Sequence, residues 1–90
     1  MNTQFQMLLD RLDQLQKSIV YYSENAIPQA GLIFKQAQRG FKEGEVGYVE
    51  YIQGLDRAAK IELDYLEIIN QYNQTKTELE FTTGILNKKY

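Results

Sequence analysis

Residues 58–79, AAKIELDYLEIINQYNQTKTEL, decide the fold of this 90-residue chain. Their mainly apolar stripe recurs at alternating intervals of three and four residues: Ala58, Ile61, Tyr65, Ile68, Tyr72, Thr75 and Leu79. This is the a/d spacing of a helix that packs along another helix, whereas a half-buried strand would alternate with a period of two. The spacing therefore predicts a long amphipathic helix with a helical partner.

The same helix carries a second apolar stripe, displaced by one residue from the first. It comprises Ile52, Leu55, Ala59, Leu66 and Ile69, and Glu62 interrupts it. Because adjacent residues lie about 100° apart around a helix, the two stripes form a face wider than a two-stranded seam uses. The helix is therefore expected to have neighbours on two sides, as in a multi-helix bundle or a closed ring of helices.

The first half of the chain shows the same spacing, interrupted once. The stripe runs through Phe5, Leu8, Leu12, Leu15, Ile19, Tyr22 and Ala26, then through Ala30, Ile33, Ala37 and Phe41. A step of four follows Ala26 where the repeat calls for three, and Pro28 lies at this break. Proline removes a backbone donor and disfavours the α conformation of the preceding residue. We expect one helix over about residues 3–40 with a kink near Pro28; a bend is favoured over a stop because the periodicity resumes at once.

Three glycines separate the periodic halves: Gly40, Gly44 and Gly47. Glycine readily adopts the positive φ that ends helices, so residues 41–48 are predicted to form a tip loop. The second helix is predicted over about residues 48–83, with Gly84 as its C-cap and Lys88 and Lys89 favourable at its negative end. The expected fold is all-α: a long antiparallel coiled-coil hairpin that associates into a helical bundle.

Composition excludes several classes of function. The chain has no Cys and no His, so it lacks a thiol nucleophile, a disulfide framework, the usual zinc ligands and His-based acid–base catalysis. Its net charge of −2 does not favour nucleic acid, and no apolar run approaches the length of a membrane span. We expect one soluble, non-enzymatic domain over residues 1–90 without cofactor or metal. Self-association is expected because so short a chain has little spare core.

Two groups of side chains could in principle have a chemical role, in metal binding, acid–base catalysis or base stacking. Glu43, Glu45 and Glu50 form a carboxylate cluster, but no calcium-loop or phosphate-loop pattern accompanies it, so solvated surface charges are the favoured interpretation. Five tyrosines lie at or beside the stripes: Tyr21, Tyr22, Tyr51, Tyr65 and Tyr72. Base stacking needs a basic groove that these positions lack, so helix packing is favoured.

Residues 37–58, AQRGFKEGEVGYVEYIQGLDRA, and 65–84, YLEIINQYNQTKTELEFTTG, resemble the second repeat of the TolC-like outer-membrane factor family. The positions that match the family signature are Phe41, Gly44, Glu50, Ile52, Leu55 and the terminal Gly84. The upstream stretch, residues 15–37, is most similar to members of heavy-metal efflux systems of the CusC/CzcC kind. In some bacteria such a region is fused to the inner-membrane pump.

The resemblance implies a transport component of the cell envelope. Family members are trimers with an outer-membrane β-barrel and a periplasmic α-helical tunnel, and they work with a periplasmic adaptor and an RND-type inner-membrane pump. This chain carries one hairpin and no strand pattern, so it is expected to be a fragment of such a protein, in a system that exports heavy-metal cations or drugs. The isolated fragment is expected to form a dimer or a bundle, with four helices as the simplest solution.

The resemblance also implies site residues. The adaptor would dock at the tip, on Gly44, Glu45, Val46, Gly47 and Tyr48. Glu50 falls at an acidic position of the periplasmic entrance and is a candidate gate residue with Gln53, although the family often has Asp and Ala where this chain has Gln53 and Gly54.

Plainer explanations stay open beside these. The glycines are also what a tight turn needs, and a Glu in a first helical turn stabilises the positive helix end wherever it occurs. A generic coiled-coil hairpin scaffold is the alternative function.

Overall fold

A computed structural model describes the backbone of residues 2–87 and the side chains of residues 3–84. Helix α1 spans Asn2–Tyr21, a π-helical turn spans Tyr22–Ala26, α2 spans Ile27–Lys42 and α3 spans Tyr48–Asn87. No strand occurs within residues 2–87. The all-α class predicted from the spacing is therefore confirmed.

The molecule is a rod with principal extents of 70 × 16 × 16 Å. We call α1, the π-turn and α2 together the first arm and α3 the second arm; both α1 and α2 contact α3. The Phe41 ring stacks on Tyr51 with centroids 4.5 Å apart, and the Tyr22 ring stacks on Tyr65 at 6.2 Å. Both ring pairs join a residue of the first arm to a residue of α3.

The π-turn explains how the first arm passes Pro28. The Ile27 N–H donates to the carbonyl of Tyr22, five residues back, so the turn holds one residue more than an α-helical turn. Two successive steps of four in the stripe then keep Ala26 and Ala30 on the same buried side. The predicted kink region is a continuous helix because the π-turn absorbs the extra residue.

Short polar side chains support the carbonyls around this turn. The Ser23 hydroxyl donates to the carbonyl of Val20 at 3.1 Å, and the Asn25 side-chain amide donates to the carbonyl of Tyr21 at 3.3 Å. Pro28 has no N–H to donate back along the helix, so a regular α-helical hydrogen bond is missing here in any case. Sequence and backbone geometry agree on where the irregularity falls.

The tip loop occupies residues 43–47, fewer than the predicted 41–48, because a Schellman motif ends α2 only after Lys42. Gly44 has φ of +76°, its N–H donates to the Phe41 carbonyl at 3.1 Å, and the Glu45 N–H donates to the Gly40 carbonyl at 2.8 Å. These two bonds satisfy carbonyls that the helix end would otherwise leave unpaired.

The predicted C-cap at Gly84 is wrong, because α3 continues through Gly84 to Asn87. A glycine inside a helix costs about 1 kcal/mol relative to alanine, which does not by itself end a helix. Unlike Gly44, Gly84 has a negative φ. Lys88 and Lys89, predicted to stabilise this end, lie outside the described residues.

The contact between the arms is built from small residues. The buried apolar side chains are those of Ala26, Ala30 and Ala58, and the Thr75 side chain is also buried. A Cβ placed on Gly54 would lie only 2.9 Å from the Cβ of Ala37. The arms therefore approach closely at these positions. Larger apolar side chains of the stripes, such as Ile19 and Tyr65, are half-buried.

Candidate functional site

The tip is held together by its own contacts. Val46 is half-buried and lies over Gly40: a Cβ on that glycine would be 3.2 Å from the Val46 Cγ2. The Val46 N–H also donates to the Gly40 carbonyl, at 3.2 Å. Of the predicted docking residues, Val46 thus packs inward and Gly44 closes the turn.

The exposed surface of the tip combines charged loop side chains, such as Glu45, with aromatic and aliphatic ones at the start of α3. Tyr48 is 65% exposed and Val49 is 67% exposed. The Phe41 ring lies edge-on to Tyr48, with centroids 6.1 Å apart, and stacks on Tyr51. The one-dimensional spacing does not predict this cluster, because Phe41 belongs to the first arm and both tyrosines to the second. The sequence feature that could have indicated this cluster is the position of Phe41 at the end of one stripe, with tyrosines just beyond the loop.

Glu50 lies at the start of α3. Its Oε1 accepts a hydrogen bond from the Gly47 N–H at 3.4 Å, which is half of a capping box. The position also places its negative charge at the positive end of the helix dipole. The helix-end role proposed for Glu50 therefore has a specific contact.

Glu50 and Gln53 share a polar groove between α2 and α3. Gln36 and Arg57 also line this groove, together with Ile33, Ala37, Val46 and Gly54. The structure brings the two candidate gate residues together on one side of the seam. A gate would require this side to face the interior of an assembly.

A second groove between α2 and α3 has a floor of small residues: Ala30, Gly31, Ala58 and Ala59. Two apolar side chains, Phe34 and Leu55, and two charged ones, Lys35 and Glu62, line its edges. Phe34 is 43% exposed. The two grooves therefore differ in chemistry, which a single-seam coiled coil does not require.

Large apolar side chains are exposed along the whole rod. Those at least 58% exposed, apart from the tip residues, are Met7, Tyr21, Leu32, Leu63, Leu66 and Phe81. They lie on α1, α2 and α3 alike. Scattered exposed apolar residues are ordinary, but this series accompanies a seam whose own buried residues are small.

Among the described residues, no three Asp or Glu side chains come together as a group that could hold a metal ion. No helix within residues 2–87 combines the length and the apolar composition needed to cross a membrane.

No protein-family model, curated protein or solved structure matches this chain.

Proposed function

We propose that the chain is an antiparallel two-helix hairpin that forms part of the wall of a helical tunnel in a tripartite efflux system. The pairings Phe41–Tyr51 and Tyr22–Tyr65 support the antiparallel direction, since the residue numbers run oppositely on the two arms. The short Schellman loop supports the tight reversal. A wall segment binds neighbours laterally and performs no catalysis.

The exposed apolar series on both arms is the observation that carries this proposal. Among the described side chains of this two-helix rod, the buried apolar ones are alanines, and the large apolar ones are at most half-buried. Leu66 lies on the second stripe and is 59% exposed, and Leu63 lies beside that stripe and is 65% exposed. Neither side chain is covered by the first arm. Further helices packed beside α3 would bury this surface, and burial of apolar area is the main favourable term in association.

The efflux role comes from the resemblance of residues 37–84 to the TolC-like family. In that proposal the parent protein lies in the cell envelope, either as an outer-membrane factor or fused to a pump, and its trimer exports heavy-metal cations or drugs. The exposed tip pair, Tyr48 and Val49, meets the periplasmic adaptor, which in turn joins the RND-type pump. Glu50 and Gln53 then line the entrance.

Site-specific photo-crosslinking in cells that make the full-length parent protein tests this proposal. A benzophenone amino acid at Tyr48 is expected to capture the periplasmic adaptor, and one at Leu63 a helix of the parent protein itself. Lys60 provides the control, because its side chain is 77% exposed on a polar part of α3. Heavy-metal resistance is expected to fall in a Tyr48→Glu strain.

Two results together would refute the efflux role. The benzophenone at position 48 would capture no adaptor, and the Tyr48→Glu strain would keep its heavy-metal resistance. Tyr48 suits this test better than Gly44, whose φ of +76° makes any larger side chain strain the turn. A loss of function at Gly44 would not separate docking from folding.

A coiled-coil scaffold is the second candidate, and the tip favours it. Gly44 and Gly40 are fully accounted for by the turn itself, with no requirement for a docked partner. A scaffold would give the Leu63 crosslink to another helix without any adaptor at Tyr48. The same experiment therefore separates the two functions.

A further inference from the structure

Three cations form a stripe on α2 next to the tip. Lys35, Arg39 and Lys42 follow the spacing i, i+4, i+7, which places them on one side of the helix over about 10 Å. Together with Gln38, Phe41, Glu43 and Tyr51 they line a cleft between α2 and the start of α3. We call this the basic cleft.

The cations of the basic cleft are free to bind a partner. All three are exposed, and the ion pairs found within the described side chains, Lys17–Asp13 and Lys60–Asp64, do not involve them. Glu43 is the single carboxylate of the cleft. The cleft is therefore locally positive, although the net charge of the chain is −2.

An apolar surface adjoins these charges. Phe41 is 43% exposed although its ring stacks on Tyr51 with an interplanar angle of 11°. The paired rings are held by both arms and provide a rigid wall for an apolar side chain. Aromatic residues beside a charged rim are typical of protein-binding surfaces.

We propose that the basic cleft binds an amphipathic helix of another protein, with acidic residues at the matching i, i+4, i+7 spacing and an apolar side chain against Phe41 and Tyr51. Three carboxylates on one helix face would lie opposite Lys35, Arg39 and Lys42. The charge pairs set register and partner choice, and the aromatic wall contributes burial. The proposal does not depend on the efflux role, since a scaffold could use the same cleft.

A helix fits the basic cleft better than nucleic acid or a membrane surface. The positive stripe is only about 10 Å long, which is the axial distance that residues i to i+7 of a partner helix lying along it would span. Glu43, Glu45 and Glu50 lie just beyond it around the tip, and their charges would repel the extended phosphates of a duplex or an anionic bilayer. A narrow partner that lies along the stripe meets only Glu43 of these three, because Glu43 alone lines the cleft.

A second copy of the chain does not meet the requirement. Its acidic residues occur at i, i+3 pairs such as Asp10 and Asp13 or Asp64 and Glu67, but nowhere as three with the spacing i, i+4, i+7 or i, i+3, i+7. The complementary helix therefore does not come from a second copy of these 90 residues.

The test uses the 90-residue chain and two synthetic, fluorescently labelled helical peptides. One peptide carries Glu at i, i+4 and i+7 with Leu between these positions; the other replaces each Glu by Gln. Fluorescence anisotropy at about 50 mM salt measures binding to the unchanged chain and to two triple variants. The first is Lys35→Gln, Arg39→Gln, Lys42→Gln, and the control is Lys17→Gln, Lys60→Gln, Lys76→Gln, which has the same net charge.

We expect the Glu peptide to bind the unchanged chain and the control variant alike, and the cleft variant about tenfold or more weakly. Binding is also expected to weaken as salt is raised, because these pairs are exposed. Far-UV circular dichroism checks that both variants keep their helix content. The proposal is overturned if both variants lose affinity equally, if the Gln peptide binds as well as the Glu peptide, or if a DNA duplex or phosphatidylglycerol vesicles displace the Glu peptide from the cleft.

Discussion

Replacing Gly54 by alanine perturbs the closest approach between the two arms. The new methyl carbon would lie 2.9 Å from the Cβ of Ala37, whereas carbon atoms in favourable contact are about 3.5–4.0 Å apart. Both atoms are attached directly to backbone, so no side-chain rotation relieves the overlap. The arms must separate by roughly 0.6–1 Å at this point.

The size of the effect follows from two opposing contributions. Alanine is better than glycine in a helix interior by about 1 kcal/mol, and overpacking a closely packed site costs typically about 1–3 kcal/mol. Gly54→Ala is therefore expected to lower the free energy of unfolding by about 0–2 kcal/mol. Gly31→Ala is the matched control, because Gly31 is also in a helix and a Cβ there meets nothing within 4 Å. That control should gain up to about 1 kcal/mol.

Thermal unfolding followed by circular dichroism, at one fixed protein concentration, measures this difference. For a domain of this size 1 kcal/mol corresponds to a shift in Tm of roughly 4–8 °C. The double variant Gly54→Ala, Ala37→Gly returns the missing space and is expected to recover much of the loss caused by overlap. If Gly54→Ala proved as stable as Gly31→Ala, the small-residue contact between the arms would not exist as described.

Three further predictions concern the tip and the rod surface. Gly44→Ala should lower the free energy of unfolding by about 1–2 kcal/mol and Gly44→Asn by less, because the left-handed conformation at Gly44, with φ of +76°, crowds a Cβ. Equal stability of the variants and the unchanged chain in urea unfolding would contradict the Schellman turn. Glu50→Gln should lower the free energy of unfolding by less than about 1 kcal/mol, whereas Glu67→Gln, further along α3, should leave it almost unchanged. Urea unfolding of both variants measures this difference. The chain should sediment as a dimer or larger bundle at micromolar concentration, and Leu63→Gln with Leu66→Gln should weaken that association; a 10.5 kDa species alone would argue against lateral packing.

Local patterning was sufficient for the helical class and for the position of the loop between α2 and α3. The a/d spacing from Ala58 to Leu79 reports a helix because the period of apolar residues depends only on how many residues make one turn. Gly44 indicates where α2 ends, because the positive φ found there is costly for residues other than glycine. The irregular step before Ala30, beside Pro28, marked the site of the π-turn without revealing its form.

Gly84 and the tip show where local signals stop being sufficient. Gly44 ends α2 and Gly84 does not end α3, although both follow a periodic stretch. The difference lies in the bonds available: the chain after Gly44 turns back so that the Glu45 and Val46 N–H groups reach the Gly40 carbonyl. That geometry belongs to the turn as a whole and not to a single residue type.

Contacts between residues distant in the chain were decided only by the tertiary structure. Sequence spacing places Ala37 on the apolar stripe of its helix, but its 2.9 Å approach to a Cβ on Gly54 depends on the relative rotation and register of the arms. The basic cleft likewise needs Tyr51 of α3 to stack on Phe41 of α2 beside Lys35, Arg39 and Lys42. A periodic pattern specifies which face of a helix is buried, whereas the register between two helices is set by how the side chains of both interlock. The Ala37–Gly54 contact and the basic cleft therefore form only when the two arms pack together.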